Sequence, residues 1–134
     1  MITNFEEWTP EFNKSLQPVV IWLEEFFSPQ DGIVLRGKTK PVKGPQLCQA
    51  IKKELNVSIA EPTLRQCIRE TRFRGQVPIG GGGKGYYLIQ TPTEMEEQIR
   101  SLEERAEGNL YAARCLRNYD QKRLKGDLFH QLFS

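Results

Sequence analysis

Apolar residues recur at helical spacing in four stretches of the chain, and short β-prone runs separate some of them. Over 18–27, Val19, Trp22, Leu23, Phe26 and Phe27 fall at helical spacing around Glu24 and Glu25. Upstream, Thr3-Asn4-Phe5-Glu6 has the spacing of a capping box. Thr9-Pro10 reads as an N-cap followed by proline at the first helical position, with Pro18 breaking or restarting that helix. Ser28-Pro29-Gln30-Asp31-Gly32 stacks turn signals and ends the first firm helix. Pro45 opens a second helix through about Leu55, with Leu47, Cys48, Ile51 and Leu55 on one face and Asn56 as its stop. A third runs from about Pro62 to Phe73, with Leu64, Cys67, Ile68 and Thr71 inward. Arg65, Arg69 and Arg72, at i, i+4 and i+7, form an outward stripe. Gly75 follows as a C-terminal stop.

The fourth helix has the strongest start in the chain, Thr91-Pro92-Thr93-Glu94. Met95, Ile99, Leu102, Ala106, Leu110, Ala113 and Leu116 then give a near-heptad seam to about Tyr119. At 1.5 Å per residue, ~28 residues reach about 42 Å, longer than a small core covers, so the seam calls for a partner. Gly108 weakens this helix by roughly 1 kcal/mol relative to Ala.

Between the helices, Ile33-Val34-Leu35 reads as a very short strand and Arg36–Pro45 as a basic loop. Val77-Pro78-Ile79 and Tyr86-Tyr87-Leu88-Ile89 flank the glycine loop 80–85 and read as a β-hairpin over 77–89, with Pro78 putting its first run at an edge. Of Tyr86 and Tyr87, one faces the core. The expected fold is mainly α with a small β-hairpin and a long C-terminal amphipathic helix. It divides into an acidic segment 1–16, a core domain 17–90, the long helix 91–125 and an apolar tail 126–134.

Charge sharpens this picture. The net charge of +2 over 134 residues conceals −5 over 1–33, +8 over 34–90 and −1 over 91–134. A central +8 block points to one electropositive surface and an anionic partner, of which nucleic acid is the commonest.

Several classes are excluded or disfavoured. The longest apolar run, Val19–Leu23, is far shorter than the ~20 residues of a membrane span. The N-terminus lacks the basic start of a signal peptide, so a cytoplasmic location is expected. Cys48, Cys67 and Cys115 read as reduced thiols, Cys48 and Cys67 as small core residues. With His130 as the one histidine, they have no metal-ligand spacing. Gly83-Lys84 lacks the preceding and following residues of a phosphate-binding loop. No catalytic constellation and no cofactor motif emerges, so a non-enzymatic protein is expected.

The order helix, basic loop, helix, short turn, helix with outward arginines, glycine-tipped hairpin resembles a winged helix-turn-helix domain of the small phage or prophage type. The resemblance covers about residues 17–90 and rests on the segment 62–75 leading into 80–88. It implies a regulator that binds double-stranded DNA, with helix 61–73 in the major groove and hairpin 77–89 against phosphate or minor groove. Carried over by position, Arg65, Gln66 and Arg69 face base edges, with Thr63 near a phosphate at the helix start. Arg72 and Arg74 reach backbone phosphate. Lys84 at the hairpin tip reaches phosphate or minor groove, and Lys38, Lys40 and Lys43 add phosphate contacts. The bland alternative leaves the arginines as a solvated face paired in part with Glu61 and Glu70.

The seam of the long helix implies a homodimer, with packing back onto the first helix as the alternative. The tail carries Leu128, Phe129, Leu132 and Phe133 at amphipathic spacing, and Asp127-Leu128-Phe129 matches only the end of a bacterial sliding-clamp-binding peptide. A second class of function follows from the helix and tail: an adaptor that docks on host replication or transcription machinery.

Overall fold

The computed structural model describes residues 8–120. By connectivity and packing the chain divides into two units, 1–95 and 96–134. The described residues are mainly helical, with one small antiparallel hairpin.

Three helices build the core of the first unit. Helix α1 spans Gln17–Phe27, entered by Pro18 in its first turn. Helix α2 spans Gly44–Leu55, again with a proline in the first turn, and Gln46 Oε1 accepts from the Lys43 backbone N–H at 3.2 Å. Helix α3 spans Glu61–Arg74. Asn56 and Gly75 end α2 and α3 in the left-handed conformation, with φ of 55° and 69°, as helix stops favour. Val19, Val20, Leu23 and Phe27 of α1 meet Leu47 and Ile51 of α2 and Leu64, Cys67 and Ile68 of α3 in one buried cluster. Each large apolar side chain buried this way contributes about 1.5–3 kcal/mol. Thr71 joins that face at no polar cost, because its Oγ1 donates to the Cys67 carbonyl one turn back at 2.8 Å.

The N-terminal segment differs from expectation. Thr9-Pro10 starts no helix: the Phe12 N–H closes a turn on the Thr9 carbonyl at 3.1 Å, followed by a single 3-10 turn over Lys14–Leu16. Thr9 is instead held by Glu70, whose carboxylate accepts from both the Thr9 N–H (2.8 Å) and Oγ1 (2.7 Å). Trp8, Phe12 and Leu16 pack on the core, so the segment from Trp8 onward is part of the first unit. The capping box at Thr3 and the tail 126–134 lie outside the described residues.

Two loops also differ. Ile33-Val34-Leu35 forms no strand. Gln30 and Ile33 exchange both backbone hydrogen bonds at 2.9 Å around Asp31-Gly32, both at positive φ (52° and 76°), as a type I′ turn requires. The basic stretch after it is not a free loop. Val42 and Tyr86 exchange backbone hydrogen bonds at 2.8 Å, and the Leu88 N–H donates to the Arg36 carbonyl at 2.7 Å. This stretch therefore lies along one edge of the hairpin.

The hairpin comprises β1 (Ile79–Gly82) and β2 (Gly85–Leu88), paired antiparallel with Ile79 opposite Leu88 and Gly82 opposite Gly85. The expected six-residue glycine loop is mostly strand, with only Gly83-Lys84 as the turn. The glycines serve the ladder itself. A Cβ on Gly80 would lie 2.6 Å from Tyr87 Cζ, and one on Gly81 would lie 3.3 Å from the Tyr86 ring, so both tyrosine rings cover the backbone opposite. Tyr87 is buried and Tyr86 half-buried against the core cluster.

Helix α4 spans Pro92–Tyr119, 28 residues. Its start behaves as a capping box displaced by one residue: the Glu94 N–H donates to Thr91 Oγ1 (3.1 Å), while the Glu94 carboxylate accepts from the Gln90 N–H (2.9 Å). From Ile99 to Tyr119 every side chain except half-buried Ser101 is exposed. No helix among the described residues is long and apolar enough to cross a membrane.

Candidate nucleic-acid interface

The outward face of α3 follows from its inward one. With Leu64, Cys67, Ile68 and Thr71 buried, Arg65, Gln66 and Arg69 project to solvent, and Thr63 sits half-buried in the first turn. The two carboxylates closest in sequence are engaged elsewhere. Glu70 is buried and holds Thr9. Glu61 lies over the start of α2, its Oε1 2.7 Å from where a Cβ on Gly44 would be, at the end of a helix that attracts negative charge. The same carboxylate helps raise the pKa of the half-buried Cys48 thiol, after burial itself.

Two arginines expected on this face have other positions. Arg72 is half-buried, and its Nε donates to the Ile79 carbonyl at 2.8 Å, tying α3 to β1. Arg74 is buried. Its Nε meets Glu24 Oε2 at 3.0 Å, and its guanidinium lies 3.9 Å from the Trp8 ring centroid. It is a core cation and not a phosphate contact.

The hairpin puts Lys84 at its tip, exposed between Gly83 and Gly85. Gly85 has φ 125°, and a Cβ there would lie 2.6 Å from the Val42 carbonyl oxygen and 3.0 Å from the Lys43 nitrogen. Glycine is therefore required at this position, and the backbones carrying Lys43 and Lys84 run close together. Lys38, Lys40 and Lys43 are exposed along the strip paired to β2. Arg36, at the head of that strip, stacks on Phe26 with 3.8 Å to the ring centroid.

Phe73 belongs to the same surface and escaped the sequence reading. It is 60% exposed at the end of α3, with the Arg69 guanidinium 5.8 Å from its ring centroid. The available signal was its register: Phe73 stands one turn after Arg69, outside the apolar face of α3.

Met95, Ile99, Leu102, Ala106, Leu110, Ala113 and Leu116 all lie exposed on α4. Among the described residues no group of three or more metal-ligating side chains forms. No protein-family model, curated protein or solved structure matches the chain.

Proposed function

We propose that this chain is a non-enzymatic, sequence-specific binder of double-stranded DNA. In this reading it is a transcriptional regulator of winged helix-turn-helix type acting in the cytoplasm as a homodimer. The observation that carries the reading is the α3 face: Arg65, Gln66 and Arg69 exposed together, with Glu61 and Glu70 directed elsewhere. Element order supports it: α1, an extended strip on the hairpin edge, α2, a five-residue connection 56–60, α3, hairpin. α3 then enters the major groove, where arginine bonds guanine and glutamine bonds adenine bidentately. Thr63 meets a phosphate at the helix start. Arg72 acts by fixing the hairpin against the reading helix. Lys84 and Lys43 follow the neighbouring phosphates or minor groove, and Lys38 and Lys40 extend that track.

The test is selection from random duplexes followed by titration at two salt concentrations. An enriched, two-fold symmetric site bound in the nanomolar range is expected. Weak binding without a motif that collapses as salt rises reduces the basic face to phosphate attraction.

The exposed apolar seam of α4 favours one second reading, an adaptor for replication or transcription machinery. A single stable protein partner, lost on deletion of 126–134 and insensitive to Arg65→Ala, would establish it.

A further inference from the structure

We propose that α4 pairs with α4 of a second copy in antiparallel orientation. This inference rests on the dimeric reading above and gives that dimer its geometry.

The face to be covered is continuous. Ile99 is 42%, Leu102 39%, Leu110 60% and Leu116 70% exposed, and all fall along one side of a helix of 28 residues. In heptad terms Ile99, Ala106 and Ala113 occupy a, and Met95, Leu102, Asn109 and Leu116 occupy d, with Leu110 beside Asn109 at e.

Charge selects a second copy as the occupant and sets its direction. Residues 92–107 carry six glutamates against two arginines, whereas 108–119 carry Arg114 and Arg117 and no acid. A parallel pair lays the acidic half on the acidic half. An antiparallel pair lays it on the basic half of the other copy. The flanking positions make the same choice. Position e holds Glu96 and Glu103 early in the helix and Arg117 late. In an antiparallel pair e faces e, and matching Ile99 with Leu116, Leu102 with Ala113 and Ala106 with Asn109 sets Glu96 against the other copy's Arg117 and Glu103 against its Leu110. In a parallel pair e faces g, which here is Gln98, Arg105 or Ala112, and no acid meets a base. The Glu96–Arg100 contact within the helix, 3.9 Å with both side chains about two-thirds exposed, is too open to compete strongly.

The test is sedimentation equilibrium of the full chain without DNA, with circular dichroism to follow helix content. A dimer is expected. Arg117→Glu should weaken it about tenfold, since the symmetry changes the contact twice. Adding Glu96→Arg to the same chain should restore it to within about threefold. A chain that stays monomeric at all accessible concentrations overturns the pairing. A dimer indifferent to Arg117→Glu, or not restored by the exchange, overturns its direction. DNA binding is read separately through Arg65 and Arg69. Loss of the dimer with sequence preference intact therefore refutes this inference and the dimeric part of the reading while leaving DNA recognition standing, and loss of preference in an intact dimer refutes only the DNA recognition.

Discussion

Arg74 and Glu24 lie 50 residues apart in sequence, yet their side chains meet at 3.0 Å with 1% and 9% of their surfaces exposed. The pair joins the last turn of α3 to the second half of α1, and Trp8 covers the guanidinium at 3.9 Å. Taking both charges out of water costs several kcal/mol, which their mutual attraction and hydrogen bonding must offset. The pair therefore fixes how α3 sits on α1 more than it adds net stability.

Breaking this pair on one side leaves a buried charge without its opposite charge at 3.0 Å. Arg74→Ala and Glu24→Ala are each expected to cost about 3–5 kcal/mol. The joint replacement Glu24→Leu with Arg74→Met should cost less than either, because no lone charge remains. Urea unfolding of the three variants checks this. Additive costs would show that the two side chains do not act as a pair.

The DNA reading separates residues by role. Arg65→Ala and Arg69→Ala should each relax base preference, with a loss of about 1–3 kcal/mol at the affected position. Lys84→Ala should weaken binding to all sequences alike and lower the salt slope by about 1. Arg72→Ala should act on the hairpin, through loss of the 2.8 Å bond to Ile79, and so weaken the Lys84 contribution without changing which base is preferred. Titrations against the selected site and its single-base variants distinguish the three patterns.

Much of this arrangement was legible in the sequence because local rules determined it. The 3.6-residue spacing of Leu64, Cys67, Ile68 and Thr71 located the buried face of α3, and Asn56 and Gly75 marked the ends of α2 and α3. The Thr91-Pro92-Thr93-Glu94 start gave α4 to within a residue. What escaped was settled by distant partners. Arg72 and Arg74 continue the same basic run as Arg69, and only a carbonyl on β1 and a carboxylate on α1 draw them inward. Thr9-Pro10 has the cap-then-proline pattern of a helix start, but Glu70, 61 residues away, captures the threonine. The glycine run looked like a loop because its need for small residues comes from Tyr86 and Tyr87 across the ladder.

That last relationship makes two neighbouring glycines unequal. Gly80→Ala would bring its Cβ to 2.6 Å from Tyr87 Cζ in a buried setting, and is expected to destabilise by about 1–3 kcal/mol. Gly82→Ala meets nothing within 4 Å and should be nearly neutral. Thermal unfolding of the two variants compares them directly. Combining Gly80→Ala with Tyr87→Ala should relieve the clash, so that the double variant loses less than the sum of its parts.

The three thiols should separate by reactivity. Cys115 is exposed on α4, Cys48 is half-buried, and Cys67 is buried in the core. Burial, reinforced by Cys48 and Glu70, pushes the Cys67 thiol up to about 12 from its ordinary 9.0. A disulfide reagent should modify Cys115 first, Cys48 slowly, and Cys67 only on unfolding, because the thiolate is the attacking species. The same shift predicts a pH dependence. Below pH 9 Cys67 is protonated in both the folded and unfolded chain and has no pH effect. Between about 9 and 12 the unfolded chain loses this proton while the folded chain keeps it, so stability falls as pH rises. Urea midpoints at pH 8 and pH 10.5 should therefore differ more in the native chain than in Cys67→Ala, where that titration is gone. An equal drop in both would assign the alkaline loss to other groups and leave Cys67 a passive core residue.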